Sequence, residues 1–292
     1  MSLGNQAHKL EELILENERL RNEKGTKFIA VTSGKGGVGK STICSNLSYI
    51  LYKLGFKVAI FDADIGLANL DIIFGVKSEK NLLHALKGEC SLRDIIIPIE
   101  SDGLFLIPGE SGAEILKYSG ELMFDRIIED SILLDDLDFV LVDTGAGIGE
   151  HTQSFLEACD EVIVVTMTDP AALTDAYATI KICSRNKDRL FVVINMVKNS
   201  KEAQAIFDKF NKVAREHIDT LELDFLGALS YDGIVTKATK GRKLFASISP
   251  FSTPSVELEE IARHLAQKLE RKVLPKEDGR FGRFFEKILK QF

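Results

Sequence analysis

Phe28-Ile29-Ala30-Val31-Thr32-Ser33-Gly34-Lys35-Gly36-Gly37-Val38-Gly39-Lys40-Ser41 reads as an apolar strand running into a glycine loop. From Gly34 to Ser41 it fits the phosphate-binding pattern G-x-x-x-x-G-K-[ST]. Ile43, Leu47, Ile50 and Leu51 follow at helical spacing, so the loop joins a strand to a helix, the context that pattern requires. Gly34, Gly36, Gly37 and Gly39 let the backbone turn its amide hydrogens toward anionic oxygens, and the helix N-terminus adds partial positive charge. Lys40 is placed to reach β- and γ-phosphates, and Ser41 to ligate Mg²⁺. The expected cradle is Gly34, Lys35, Gly36, Gly37, Val38, Gly39, Lys40, Ser41 and Thr42, with ATP or ADP and Mg²⁺ as its ligands.

Outward from the loop, short apolar runs alternate with helical segments. The runs are Phe28 to Thr32, Val58 to Phe61, Leu104 to Ile107, Phe139 to Val142, Val162 to Thr166, Leu190 to Ile194 and Phe225 to Leu229. Their β-branched and aromatic content, with little polar alternation, predicts strands covered on both faces. The fold class is therefore α/β, a doubly wound, mostly parallel sheet. Phe139-Val140-Leu141-Val142-Asp143 places a carboxylate at a strand's C-terminal edge, where open α/β sheets bind ligands, and makes Asp143 a candidate for the Mg²⁺ shell. Thr144-Gly145-Ala146-Gly147 continues as a loop suited to sensing a γ-phosphate. A second strand ends in Asp62-Ala63-Asp64, from which Asp64 can orient an attacking water and Asp62 can hold a magnesium-bound water. A single aspartate after a strand is more often a helix cap; two such strand ends beside one phosphate loop favour the catalytic reading.

Composition narrows the partners. The 292 residues are 45% hydrophobic with a formal charge of −7, which suits a globular, soluble chain and opposes a generally basic, nucleic-acid-binding surface. Cys44, Cys90, Cys159 and Cys183 lie far apart, as small buried hydrophobes do, and fit a reducing cytoplasm. His8, His84, His151, His217 and His264 are scattered, without metal-ligand spacing. No run is long and apolar enough to span a bilayer, and the acidic N-terminus does not resemble a signal peptide, so any membrane contact is expected to be peripheral.

The ends differ from the middle. Residues 1–25 hold a short amphipathic helix with Ala7, Leu10, Leu13, Ile14 and Leu20 near one face; residues 26–274 form the nucleotide domain, closed by a helix from about Ser255 to Arg271; residues 275–292 are a linker and a tail. In the tail Phe281, Phe284, Phe285, Ile288, Leu289 and Phe292 make one apolar face, while Arg280, Arg283, Lys287 and Lys290 against Glu286 leave it at +3. Aromatic residues opposite Lys and Arg suit the surface of an anionic bilayer, and a terminal helix docked on the core is the alternative. One short helix binds membrane weakly, so two tails paired in a dimer would gain avidity.

Lys35-Gly36-Gly37-Val38-Gly39-Lys40-Ser41 resembles the deviant Walker A motif of the MinD/ParA ATPases, Asp62 to Asp71 resembles switch I of the MinD branch, and Phe139 to Gly147 its Walker B and switch II. The similarity runs over roughly residues 26 to 270. It implies a catalytic set of Asp64, Lys35 and Lys40: Lys35 would cross an ATP-sandwich homodimer to the partner's phosphates, and Asp64 would position the hydrolytic water. Asn195, at the end of a strand, would help read adenine, with a turn-forming role as the alternative.

Asn5-Gln6-Ala7-His8-Lys9-Leu10 is similar to the N-terminal D-Q-A-x-x-L-[RK] element of the FlhG family of flagellar number regulators, although Asn5 replaces its acidic residue and Glu11 its basic one. That resemblance implies stimulation of the signal-recognition-type GTPase FlhF, with Gln6 nearest its chemistry, and contacts with flagellar switch proteins or a flagellar transcription regulator. It also implies a cytoplasmic protein that joins the cytoplasmic face of the inner membrane when ATP is bound. MinD-type division-site control is the nearest rival. ParA-type DNA segregation is opposed by the acidic balance and the lipid-suited tail.

Overall fold

The computed structural model describes residues 25–64, 69–100, 103–109, 137–218 and 221–271. The N-terminal element with Gln6, residues 65–68 of the switch I resemblance, and the tail with Phe281, Phe284, Phe285, Ile288, Leu289 and Phe292 lie outside the described residues.

In chain order the elements are β1 (Lys27–Ser33), α1 (Lys40–Lys53), β2 (Val58–Ala63), α2 (Leu70–Phe74), α3 (Leu82–Leu86), β3 (Ile97–Glu100), β4 (Leu104–Ile107), β5 (Phe139–Ala146), α4 (Glu150–Ala158), β6 (Glu161–Met167), α5 (Pro170–Cys183), β7 (Arg189–Val197), α6 (Ser200–His217), β8 (Glu222–Ser230), α7 (Gly233–Lys240), α8 (Phe245–Ile248) and α9 (Thr253–Lys268). The eight strands lie in the order β3-β4-β2-β5-β1-β6-β7-β8. Every pairing is parallel except β3 with β4. The doubly wound, mostly parallel reading holds, and each apolar run quoted above falls within a strand.

β3 is the strand the run-based reading misses. Its four residues include Pro98, which removes a ladder donor, and among the described residues it pairs only with β4, at the sheet edge, where such a residue is tolerated. The last helix begins at Thr253, with Pro254 in its first turn, and ends at Lys268, three residues short of the expected Arg271.

The period of two along each strand divides the interior into two cores. Ile29, Val31, Phe139, Leu141, Phe191 and Val193 face one side, with Leu47 and Leu51 of α1 and Leu258, Ile261 and Leu265 of α9. Ala30, Val140, Val142, Leu190, Val192 and Ile194 face the other, with Ile180 of α5 and Phe207 and Phe210 of α6. Phe56 packs edge-to-face on Phe139, with ring centroids 5.0 Å apart. Cys44, Cys159 and Cys183 are buried free thiols and Cys90 is half-buried. Among the described residues no helix is long and apolar enough to cross a membrane. Two solid cores hold the strand ends in fixed register, so the carboxylates and loops at the C-terminal edge keep their spacing.

Candidate functional site

β1 lies between β5 and β6, while its sequence successor β2 lies beyond β5, so the chain crosses over at this point and opens a crevice at the strands' C-terminal ends. A cavity of about 850 Å³ occupies it. Its wall includes Gly36, Gly37, Gly39, Lys40, Ser41 and Thr42 of the loop between β1 and α1. The volume falls within the range of small-molecule sites, roughly 300 to 1,000 Å³.

The loop is seated from both sides. A Cβ on Gly34 would stand 2.2 Å from the carbonyl carbon and oxygen of Asp175, so the loop rests against the backbone of α5 with no room for a side chain. A Cβ on Gly39 would stand 2.3 Å from Asn195 Nδ2, and Gly39 has φ +92°. Asn195 Nδ2 donates to the Val38 carbonyl at 2.8 Å, while Asn195 Oδ1 accepts the Met196 N–H at 2.9 Å. Asn195 also borders the cavity. Gly36 and Gly37, by contrast, have nothing among the described residues within 4 Å of a Cβ. Gly39 caps α1 without a side-chain hydrogen bond, leaving the first-turn amides to an incoming anion.

Lys40 and Asp143 form a buried ion pair across β1 and β5. Lys40 Nζ lies 2.7 Å from Asp143 Oδ1, and the two side chains are 6% and 1% exposed. Lys40 Nζ also lies 3.4 Å from Ser41 Oγ. Burial pushes the Asp143 carboxyl up, against the opposing pull of Lys40 and Ser41. Asp143 Oδ2 is buried without a hydrogen-bond partner among the described residues. An orphaned carboxylate oxygen next to a serine hydroxyl, both hard oxygen donors, fits the protein side of a magnesium shell, in which phosphate and water supply the remaining ligands.

β2 and β5 place Asp62 level with Asp143 in the parallel register. Asp62 is a backbone organiser here: Oδ2 accepts the N–H of Asn69 and of Leu70 at 3.0 Å each, and Oδ1 accepts that of Asp64 at 3.4 Å. Burial raises its carboxyl to about 6, helped by the Asp143 charge and opposed by these amides. Asp64 borders the cavity with Gly145, Ala146 and Thr152. A Cβ on Gly145 would lie 3.3 Å from Asp64 Oδ1, so the absence of a side chain there lets the loop after β5 approach this carboxylate closely.

Lys35 stands apart from the cavity wall. Its Nζ lies 3.0 Å from Asp169 Oδ2, with both side chains solvent-accessible. Asp169 also caps α5 by accepting the Ala172 N–H. Lys35 and that amide hold the Asp169 carboxyl below its ordinary range.

The structure therefore gathers the loop, Asp62, Asp64, Asp143 and Asn195 at one edge, and turns Lys35 outward. It adds residues that motif reading did not single out: Asn69, His151 and Thr152 on the β2–β5 side, and Val235, Thr236, Thr239 and Lys240 of α7 on the β8 side. No motif marks α7, so nothing in the local sequence points to its place on this wall.

A family model described as the NUBPL iron-transfer P-loop NTPase, within ParA, matches residues 24–266. The flagellum site-determining protein YlxH of Helicobacter pylori is 51% identical over 99% of each chain. The antiactivator FleN of Pseudomonas aeruginosa is 35% identical over 81% of this chain and 85% of its own. Among solved structures, the cell division ATPase MinD of Pyrococcus furiosus superimposes with a TM-score of 0.68 at 26% identity, covering 83% of this chain and 99% of that one. On the strength of the loop, the carboxylates that flank it and these similarities, the chain belongs to the ParA/MinD family of P-loop NTPases.

Proposed function

We propose that the protein is an ATP-driven switch controlling flagellar number or placement: ATP pairs two copies, pairing brings two tails to the cytoplasmic face of the inner membrane, and hydrolysis releases them. One observation carries the flagellar part. The 51% identity to a flagellum site-determining protein extends over 99% of both chains, and so includes both distinctive ends. FleN, an antiactivator by name, is consistent with a flagellar transcription regulator as a further partner. The acidic balance of −7 gives nucleic acid no general surface to bind.

In this reading the amides of Gly36 to Lys40 and the start of α1 receive the phosphates, and Lys40 exchanges Asp143 for the β- and γ-phosphate oxygens. Ser41 and Asp143 would hold Mg²⁺, which neutralises charge on those oxygens, and Asp62 keeps lone pairs for one water of that shell. Asp64 accepts a hydrogen bond from the attacking water and aims it at the γ-phosphorus; the water oxygen bonds to that phosphorus as the bond to the β–γ bridging oxygen breaks, its electron pair leaves on ADP, and the water's protons remain with the phosphate product. Asn195, which props the loop through Val38, also contacts adenine. Lys35 leaves Asp169 and reaches the phosphates of a second copy.

The N-terminal element stimulates FlhF. The test is GTP turnover by FlhF with the full chain added: acceleration that Gln6→Ala abolishes supports this role, and unchanged turnover with the wild-type chain refutes it.

A further inference from the structure

The hydrolytic scheme leaves His151 unused, although this residue borders the cavity. It stands in the first turn of α4, directly after the loop that follows β5. Its Nδ1 is closed off from solvent and has no hydrogen-bond partner among the described residues. The enclosed Nδ1 cannot meet a ligand, so the ring can offer the cavity only Nε2, the nitrogen that is not closed off in this way.

The backbone carrying His151 is held in place. Gly147, at φ +85°, donates its N–H to the Ser33 carbonyl at 2.8 Å, which ties this loop to the end of β1. Gln153 Nε2 donates to the Ile148 carbonyl at 2.7 Å, closing the turn that leads into α4. On the same wall are Asp64, Gly145 and Thr152. A Cβ on Gly145 would lie 3.3 Å from Asp64 Oδ1 and 3.6 Å from Thr152 Oγ1, so these side chains converge around one bare glycine.

Sheet order decides which part of a nucleotide this wall meets. The phosphate loop follows β1, Asn195 and Met196 sit at the end of β7, and α7 follows β8 on one side; Asp64 follows β2 and His151 follows β5 on the other. With the β-phosphate on the loop and the base toward β7 and β8, the terminal phosphate points toward β5 and β2.

We propose that His151 donates a ring N–H to a non-bridging oxygen of the terminal phosphate, and so makes the site discriminate a nucleoside triphosphate from a diphosphate. The donor is the tautomer with its proton on Nε2, because Nδ1 is closed off from the cavity. The contact forms in the bound triphosphate state and is lost with the departing phosphate. The inference rests on the cavity's being an ATP site.

Equilibrium binding of the non-hydrolysable analogue AMPPNP and of ADP, each with Mg²⁺, separates the possibilities in the full chain. His151→Ala should weaken AMPPNP about tenfold, the size expected for one hydrogen bond to a charged oxygen, and leave ADP within about twofold. His151→Gln keeps an N–H donor and should recover part of the loss; it also serves as the test if the alanine variant does not fold. An equal loss for both nucleotides would make His151 a mere support of the loop and overturn the proposal, as would no loss for either. Failure of the wild-type chain to bind either nucleotide would instead overturn the ATP reading itself.

Discussion

Lys35 Nζ sits 3.0 Å from Asp169 Oδ2, on a carboxylate that simultaneously caps α5 through the Ala172 N–H. The lysine proposed to cross into a second copy is thus held, in the single chain, by the helix against which its own loop rests. The pair is accessible to solvent, so its hold is weak and screened by salt.

Asp169→Asn follows from this arrangement. Asparagine still caps a helix but no longer attracts the ammonium group, so α5 should stay intact while ATP-dependent pairing tightens by about two- to fivefold. Sedimentation velocity across a concentration series measures it. Weaker pairing in the variant would show that Asp169 serves the dimer rather than the monomer.

The Lys40–Asp143 pair is the opposite case, buried and unscreened. Lys40→Met should leave the Asp143 charge without compensation and lower nucleotide-free stability by about 3 kcal/mol. Adding Asp143→Leu should restore much of that loss, because no lone charge then remains. Urea unfolding without nucleotide reads both, and purely additive losses would contradict the coupling.

Two glycines of one loop should respond differently. Gly34→Ala drives a Cβ into the Asp175 carbonyl at 2.2 Å and should cost at least about 2 kcal/mol. Gly36→Ala meets nothing among the described residues within 4 Å, so stability should hold within about 0.5 kcal/mol while nucleotide affinity falls, since the new methyl group enters the phosphate cradle. Thermal melts paired with nucleotide titrations check this contrast.

Asp62 gives a pH signature. Burial lifts its carboxyl from the ordinary 3.8 to about 6, so the folded chain binds this proton more tightly than the unfolded chain does. That favourable contribution is complete below about pH 4 and is lost as pH rises through 6, amounting to about 3 kcal/mol. Subtracting the stability of Asp62→Asn from that of the wild type should give a difference that falls over this window. A flat or rising difference would mean that the amides of Asn69 and Leu70 outweigh burial.

The phosphate loop was legible because its glycines, lysine and serine lie within one short stretch, and the sheet because strands buried on both faces appear as unbroken apolar runs. β3 was hidden by its length and by Pro98. The Lys40–Asp143 contact depends on strands that are neighbours in space but not in sequence, and spacing along the chain carries no trace of it. The grip of Asn195 on Val38 spans 157 residues, and a strand-ending asparagine is equally at home in a turn. His151 was read as one of several scattered histidines; only the fold brings it to the wall that Asp64 shares.

The switch itself is tested most directly by the mass of the full-length Asp64→Ala variant in solution, where bound ATP persists because hydrolysis is slowed. With Mg²⁺ and ATP, sedimentation should give twice the monomer mass; with ADP, or with Lys35→Ala added, it should give the monomer. A monomer in saturating ATP, or a dimer indifferent to both nucleotide and Lys35, would contradict it.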